Sequence, residues 1–254
     1  MNIVVVGGNG LVGRNVVRRL RAKGHEVTAA SRATGVDIVS GKGLAQALQG
    51  AEVVVDVSNS PVLVGEAPCD FFKAAIANLL EAEAAADVQH HVSLSVVGTE
   101  RLGDSPYFRG KAFQEQRIRE SGLPFTVLHA TQFFEFLLDI VEVSVYDQAL
   151  RLAPAYIQPV ASADVAACLA ELAVRPPRNG VIEMAGPERE RMSEIIQRFL
   201  TQIEAPYDVV ADPLAPYFGA RLASDSLLPG TDAHLCAMDF DAWIEQSEYW
   251  GASW

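Results

Sequence analysis

The sequence predicts an α/β fold, a doubly wound parallel sheet followed by a smaller mixed C-terminal cap, and three observations predict it. Apolar strands alternate with amphipathic helices without a break from residue 1 to about residue 130. The strands are β-branched runs with few polar interruptions, as expected for parallel strands buried on both faces. After residue 130, nine prolines punctuate shorter and less regular elements. We therefore expect one domain over residues 1–130 and a cap over residues 131–254 that is interleaved with its core.

The elements of the first domain follow from the periodicity of the apolar residues. The first strand is an unbroken β-branched run over residues 3–6. The helix after it has its apolar residues on one face, at Val12, Val16, Val17 and Leu20. Later strands are expected over residues 25–31, 52–57, 91–97 and 125–128. Helices are expected at 44–48, as a single turn, at 71–86, and at 107–120 before Gly122 and Pro124.

The cap has fewer regular elements. Apolar periodicity predicts a helix over residues 162–174, a strand over 181–185 and a helix over 192–201. Turn residues precede the last of these helices, and no internal repeat, low-complexity tract or flexible linker interrupts the chain.

Composition and charge exclude several classes of protein. Half of the 254 residues are hydrophobic, which is enough for a full core, and 32 acidic against 20 basic residues give a net charge of −12. Binding to nucleic acid or to an anionic membrane is therefore not expected. The chain opens directly into a strand, without a signal or transit peptide, and no apolar stretch reaches the roughly 20 residues of a membrane span, so a cytoplasmic protein is expected. The three scattered cysteines are expected to be reduced, with no metal site.

The segment over residues 3–13 reads as a buried strand, a glycine turn and the first turn of a helix. Glycine at positions 7 and 10 lets the chain turn sharply and brings backbone N–H groups close to phosphate oxygens, while Gly13 lets the helix pack close to the strand. The helix N-terminus also attracts negative charge. The segment is typical of a site for a dinucleotide pyrophosphate, although an ordinary tight turn has the same outline. The expected contacts are Gly7, Asn9, Gly10, Leu11, Val12 and Gly13.

The end of the second strand indicates which dinucleotide is bound. An acidic residue there would accept hydrogen bonds from the adenosine ribose hydroxyls of NAD. This chain has Ser31 and Arg32 instead, and a guanidinium suits a 2′-phosphate because arginine makes bidentate, charge-assisted bonds to phosphate. The hypothesis is that the cofactor is NADP(H), with Arg32 as the main discriminator, Ser31 assisting and Arg14 as a second cation. The alternative is a solvated surface arginine after a strand.

Tyr107 and Lys111 are the predicted centre of catalysis, with Ser95. The tyrosine and the lysine are four residues apart at the start of one helix, so both side chains share a face. A neighbouring ammonium favours the phenolate and lowers the tyrosine pKa from about 10, and the lysine can also bond the nicotinamide ribose. Ser95, near the end of the fourth strand, is expected to hold the substrate oxygen that gains negative charge. The alternatives are a strand serine, an aromatic residue at a helix start and a solvated lysine.

Together these motifs resemble the short-chain dehydrogenase/reductase superfamily, in its atypical, NmrA-like branch of NAD(P)H-binding proteins. The resemblance covers most of the chain. Its carriers are Gly7-x-x-Gly10-x-x-Gly13, Ser31-Arg32, Ser95, Tyr107-x-x-x-Lys111, residues 121–126 and residues 159–166. It implies a Rossmann fold, NADP as ligand and a tyrosine/lysine active site, and it implies no particular substrate.

The chain departs from the pattern of this branch in two places. His129-Ala130 stands where relatives often have Arg-Pro, and Ser58-Asn59 replaces the usual small residues after the third strand. Both departures bear on the nicotinamide pocket, and Ser58 and Asn59 are included among the expected cofactor contacts.

The substrate side is expected to follow the fifth strand. Residues 131–136 contain three phenylalanines that either line an apolar cleft or belong to the core. The expected substrate contacts are His129, Gln132 and Phe133. Such walls favour a small apolar carbonyl compound, an enone or a quinone over a sugar nucleotide, since no basic cluster is left for a second pyrophosphate.

The sequence is compatible with two functions. The first is an NADP(H)-dependent oxidoreductase that uses Tyr107, Lys111 and Ser95; the second is a non-catalytic NADP(H)-binding redox sensor of the kind found in the same branch. The intact tyrosine favours the first. The expected partner is a small-molecule substrate, and the sequence leaves a homodimer open.

Overall fold

A computed structural model describes residues 1–146 and 149–251 of the chain. The strands are β1 (Asn2–Val6), β2 (Glu26–Ala30), β3 (Val53–Asp56), β4 (His90–Val96), β5 (Phe125–Ala130), β6 (Val145–Tyr146), β7 (Ala149–Leu152), β8 (Tyr156–Ile157), β9 (Gly180–Ala185), β10 (Glu190–Arg191), β11 (Asp208–Ala211) and β12 (His234–Leu235). The helices are α1 (Leu11–Ala22), α2 (Leu44–Ala47), α3 (Ala67–Ala85), α4 (Pro106–Glu120), α5 (Leu137–Ser144), α6 (Ser162–Leu172), α7 (Met192–Gln202) and α8 (Phe240–Gln246). Residues 147–148 and 252–254 of the expected cap lie outside the described residues.

Seven strands form the main sheet, in the order β12-β9-β5-β4-β3-β1-β2. The pairs β1–β2, β1–β3, β3–β4 and β9–β12 are parallel. Because β1 lies between β2 and β3, the direction in which strands are added reverses at β1, which is where open α/β sheets bind ligands. Two small sheets, β8–β10 and β6–β7–β11, come from the later part of the chain. The predicted fold class, a doubly wound parallel sheet with a smaller mixed C-terminal region, is confirmed.

The chain divides into two compact units. The first contains Met1–Val96, Pro106–His129 and Ala163–Ile182, and the second contains Val97–Ser105, Ala130–Ser162 and Glu183–Trp254. The expected boundary at residue 130 falls at one of the transitions. The first unit also takes most of α6 and the beginning of β9 from the later half of the chain.

The core of the first unit is built on β1 and α1. Residues 3–6 are at most 1% exposed, as a strand covered on both faces requires. The predicted inward face of α1 is confirmed, since Val12, Val16, Val17 and Leu20 are all buried. An amphipathic helix of this kind is held mainly by the burial of that face against the sheet rather than by its helix propensity.

α3 and α4 touch each other at Gly110. A Cβ atom at Gly110 would lie 2.8 Å from the Phe72 ring and 3.0 Å from the Cα atom of Cys69, so a larger residue would force the two helices apart. Phe72 is fully buried and also meets Tyr107 edge to face, with ring centroids 5.5 Å apart. The close contact therefore sets the position of the first half of α4, which contains the predicted catalytic pair.

Neither a membrane-spanning helix nor a metal cluster is found in the described ranges. No helix there is both long enough and apolar enough to cross a bilayer. No three His, Cys, Asp or Glu side chains in residues 1–146 and 149–251 are grouped as metal ligands would be. The cytoplasmic location stays a prediction.

Two adjacent buried histidines begin β4, and their pKa values move in opposite directions. His90 is 4% exposed, its Nε2 is 2.9 Å from Thr126 Oγ1, and burial lowers its pKa to about 4. Burial also acts on the fully buried His91, but the Glu83 carboxylate 2.8 Å away outweighs it and raises the pKa of His91. His90 is thus neutral at pH 7 in the folded chain, while the Glu83 carboxylate favours the charged form of His91.

We expect His90 to make the fold sensitive to acid. Its folded pKa lies below the unfolded value near 6.5, so the unfolded chain binds the proton first and stability falls as pH drops from 6.5 to about 4. The loss should reach about 3 kcal/mol over that range. Urea denaturation of wild type and His90→Asn, followed by far-UV circular dichroism, should show a steeper pH dependence for the wild type. His234→Asn, at an exposed position, is the control; parallel pH profiles for all three proteins would contradict the expectation.

Candidate functional site

The glycine turn closes directly onto the start of α1. Gly7 has φ +79°, a left-handed conformation that favours glycine, and its carbonyl accepts from Gly10 N at 2.9 Å. A Cβ atom at Gly13 would overlap the Gly7 carbonyl oxygen, which explains the glycine on the first turn of the helix. Asn9 and Gly10 are exposed, and the first turn of α1 has no acidic residue. The turn thus presents a helix N-terminus suited to an anion.

Two buried hydroxyls at the ends of β2 and β3 have no partner in the described part of the chain. These are the Oγ atoms of Ser31 and Ser58. A buried polar atom without a hydrogen bond is costly, so such atoms mark where polar groups of a ligand fit. Arg32, next to Ser31, is exposed at the start of a short 3-10 turn. The residues predicted for the cofactor therefore fit an NAD(P) dinucleotide.

Tyr107 is held by Asn59, from the loop after β3. The phenol hydroxyl donates to Asn59 Oδ1 at 3.1 Å, and the ring packs edge to face on Phe72 and Phe108. Burial raises the pKa of Tyr107. The expected lowering by Lys111 is wrong for this structure, because burial of the phenol dominates and the Lys111 ammonium bonds the Leu94 carbonyl and Gln114 instead. The hydroxyl is therefore protonated at neutral pH.

Lys111 is buried and directed toward β4. Its Nζ donates to the Leu94 carbonyl at 3.0 Å and to Gln114 Oε1 at 3.1 Å, and it stands 4.4 Å from the centre of the Phe72 ring. Burial lowers the pKa of Lys111 to about 8, against the opposing charges of Asp56 and Glu115. Lys111 and Tyr107 were predicted to interact on one face of the helix. The ammonium and the phenol instead bond different partners, Leu94 and Gln114 for Lys111 and Asn59 for Tyr107.

Ser95 and His129 both bond to Glu115, a residue that sequence reasoning missed. Ser95 Oγ donates to Glu115 Oε1 at 2.6 Å, and His129 Nε2 is 2.9 Å from the same oxygen. Arg119 donates to Oε2 at 2.7 Å. Burial raises the pKa of Glu115, but His129, Ser95 and Arg119 outweigh it and the net shift is downward. The Ser95 hydroxyl thus bonds a buried carboxylate, and its role toward a substrate oxygen stays a prediction. The spacing of Glu115 from Lys111 and Arg119, four residues each, was the available signal.

The predicted substrate residues of the second unit are both buried. Gln132 is 6% exposed, and neither polar atom of its amide has a partner in the described residues. Phe133 is 8% exposed and stacks on Phe136, with ring centroids 5.4 Å apart. Phe133 thus has a core contact within its unit, while Gln132 keeps an unsatisfied amide.

Comparisons with known proteins agree with this geometry. A family model described as NAD(P)H-binding matches residues 7–176. The photosystem II assembly factor Ycf39 of Cyanophora paradoxa is 26% identical over 219 residues, covering 78% of this chain and 67% of that protein. The UDP-glucose 4-epimerase of Thermus thermophilus, solved with NAD, has a TM-score of 0.68 at 17% identity and covers 90% of this chain and 92% of its own. The NADPH-dependent quinone oxidoreductase of Escherichia coli, solved with NADPH, has a TM-score of 0.62 at 20% identity, with coverage of 84% and 78%.

Proposed function

This chain belongs to the NAD(P)H-binding family, and from that premise we propose that it is an NADP(H)-dependent oxidoreductase that reduces a small apolar carbonyl compound, an enone or a quinone. The predicted resemblance to the atypical short-chain dehydrogenase/reductase group is confirmed. The observation that carries the proposal is Tyr107, a protonated phenol whose hydroxyl is oriented by Asn59 in the same unit as the glycine turn.

The cofactor would be held by residues of the first unit. The turn over residues 7–13 and the N-terminus of α1 would bind the pyrophosphate, and Ser31 and Arg32 would bind the 2′-phosphate, with Arg14 as a second cation. When bound, the nicotinamide supplies a hydride.

The chain's own residues supply the proton. In a reduction, negative charge grows on the substrate oxygen, and the Tyr107 hydroxyl donates its proton to that oxygen. Without substrate this proton is donated to Asn59 Oδ1, so the hydroxyl has to turn from Asn59 to the substrate oxygen before the transfer, which leaves Tyr107 as a phenolate. The raised pKa of Tyr107 keeps the phenol in the donating form at neutral pH. The proposed partner is a small-molecule substrate, and His129 is the predicted substrate contact that lies in the same unit as Tyr107.

A second candidate function is NADP(H) sensing without turnover. The buried hydrogen bonds of Lys111 and Ser95 favour it, because both side chains are engaged inside the protein. The name of the photosystem II assembly factor among the relatives also favours a role exerted through a protein partner.

One experiment separates the two functions. NADPH and NADH binding is measured by calorimetry, and NADPH absorbance is then followed against a panel of quinones, enones, aldehydes and apolar ketones. The reductase predicts turnover with at least one class. Tight NADPH binding with no turnover on the whole panel would favour the sensor, and failure to bind either cofactor would contradict both.

Arg32→Ala should weaken NADPH binding about tenfold or more and leave NADH binding unchanged. The reason is the loss of a charge-assisted bond to the 2′-phosphate, which NADH lacks. The measurement is the Kd of each cofactor. Arg18→Ala is the matched control, since Arg18 is exposed and donates only to Asn15 on its own helix among the described contacts. Equal losses for both cofactors in Arg32→Ala would remove Arg32 from the proposed role.

A further inference from the structure

Gln114 joins two buried charges that come from different elements. Its Nε2 donates to Asp56 Oδ2 at 2.8 Å, and its Oε1 accepts from Lys111 Nζ at 3.1 Å. Gln114 is 1% exposed, Asp56 2% and Lys111 3%. A primary amide has both donors and an acceptor, so one side chain satisfies the carboxylate and the ammonium together. A residue with only one of these functions would remove a hydrogen bond from one of the two buried charges, which is costly even though Lys111 keeps the Leu94 carbonyl and Asp56 keeps Ser58 N.

Asp56 also shapes the turn that holds Tyr107. Its Oδ1 accepts from Ser58 N at 2.9 Å, and Asn59, the next residue, accepts from the Tyr107 hydroxyl. Tyr107 and Lys111 are therefore both attached to residues 56–59, the first through Asn59 and the second through Gln114 and Asp56.

Several charged groups surround the Lys111 ammonium. Asp56 of β3 and Glu115 of α4 act on it directly and favour its charged form. His91 of β4 is paired with Glu83 of α3, and His129 of β5 is bonded to Glu115. The remaining contacts of the ammonium are the Leu94 carbonyl and the Phe72 ring. Since burial opposes the charge, loss of one acceptor should change how readily Lys111 is protonated.

We propose that Gln114 is a positioning residue: its amide fixes the Lys111 ammonium beside β4 and couples it to the Asp56 carboxylate. The link is a property of the chain without cofactor, and its role in catalysis rests on the proposed function. Gln114 thereby sets both the place and the protonation of Lys111 relative to the turn that orients Tyr107.

The test is a titration of the lysines in the chain without cofactor. The sequence has four lysines, at positions 23, 42, 73 and 111, so protein labelled with ¹³C-lysine gives four resolvable signals, and Lys111→Met assigns the one of interest. Gln114→Met, which is close to isosteric, should move the Lys111 titration down by about one pH unit. Gln116→Met, at an exposed position of the same helix, should move none of the four.

A double-mutant cycle tests the coupling. Asp56→Asn should lower the Lys111 titration in both backgrounds, because the carboxylate acts on the ammonium directly, and the drop should be clearly larger in the wild-type background, where Gln114 also links the two groups. Equal shifts in both backgrounds, or no shift in Gln114→Met, would overturn the proposal. If Gln114→Met does not fold, Gln114→Glu provides the test. A carboxylate that accepts directly from the ammonium should move the Lys111 titration to higher pH, and an unchanged Lys111 titration would overturn the proposal.

Catalysis gives a separate readout. The alkaline limb of the kcat profile for NADPH-dependent reduction should follow the Lys111 titration in each variant, while the KM for NADPH stays within about threefold of wild type. A wild type without turnover would contradict the reductase function, and the lysine titration would still decide whether Gln114 positions Lys111.

Discussion

Replacing Tyr107 by phenylalanine is expected to lower kcat for NADPH-dependent reduction by about a hundredfold or more, with the Kd of NADPH unchanged. The variant removes only the hydroxyl, which is the proposed proton donor, and keeps the edge-to-face contacts of the ring with Phe72 and Phe108. Because the lost interaction is made with the developing charge, kcat and kcat/KM should fall together. Steady-state kinetics with the best substrate of the panel provide the measurement.

Two variants control for that result. Tyr156→Phe, in the second unit, keeps the ring between the guanidinium groups of Arg189 and Arg191, 4.0 and 4.1 Å away, and should have wild-type kinetics. Asn59→Ala removes the acceptor of the Tyr107 hydroxyl and should reduce kcat less than Tyr107→Phe does. Full activity in Tyr107→Phe would show that the proton comes from elsewhere.

Replacing Glu115 by alanine should cost about 3 kcal/mol of unfolding free energy, an effect typical of a buried ion pair that has lost one partner. The carboxylate accepts hydrogen bonds from Ser95 and Arg119 and is bonded to His129, and its side chain is only 4% exposed. Without the Glu115 carboxylate, the buried side chains of Ser95 and His129 each lose their hydrogen bond to it. Urea denaturation followed by far-UV circular dichroism measures the change.

Glu120→Ala is the matched control on the same helix. Glu120 is half-exposed and bonds Gln116 and Arg117, so its loss should change stability by no more than about 0.5 kcal/mol. Glu115→Gln should fall between the two, because it keeps the volume and loses the charge. If Glu115→Ala lowers the unfolding free energy by less than about 1 kcal/mol, the bonds of Glu115 to Ser95, Arg119 and His129 do not stabilise the fold as expected.

Local patterns in the sequence predicted the elements well. The β-branched run of β1, the apolar face of α1 and the glycine turn between them are determined by residues close together in the chain, and the structure has all three. The helix start at Tyr107 differs by one residue, since α4 begins at Pro106. For these elements, the spacing of the apolar residues and glycines along the chain is the physical cause of the local structure.

The hydrogen bonds of the candidate site join residues that are far apart in the chain, and the sequence pattern does not show which of them meet. Strand alternation puts Ser95 on a known face of β4 but does not say that Glu115 will cover it. The four-residue spacing of Tyr107 and Lys111 predicted that the two side chains interact. Instead, the Lys111 ammonium donates hydrogen bonds to Leu94 and Gln114 and lies over the Phe72 ring. Which group a buried polar side chain meets depends on how α4 packs on α3 and β4, and that packing depends on a glycine far from Phe72 in the chain.

The neutral, buried His90 has a consequence for handling the protein in acid. The chain carries a formal charge of −12 at pH 7 and has an isoelectric point near 4.8, so mutual repulsion between molecules vanishes within the pH interval where protonation of His90 favours the unfolded chain. Colloidal and conformational stability are then lost together. Precipitation near pH 5 should accordingly yield aggregates that do not redissolve in native form, whereas salting out at neutral pH should be reversible.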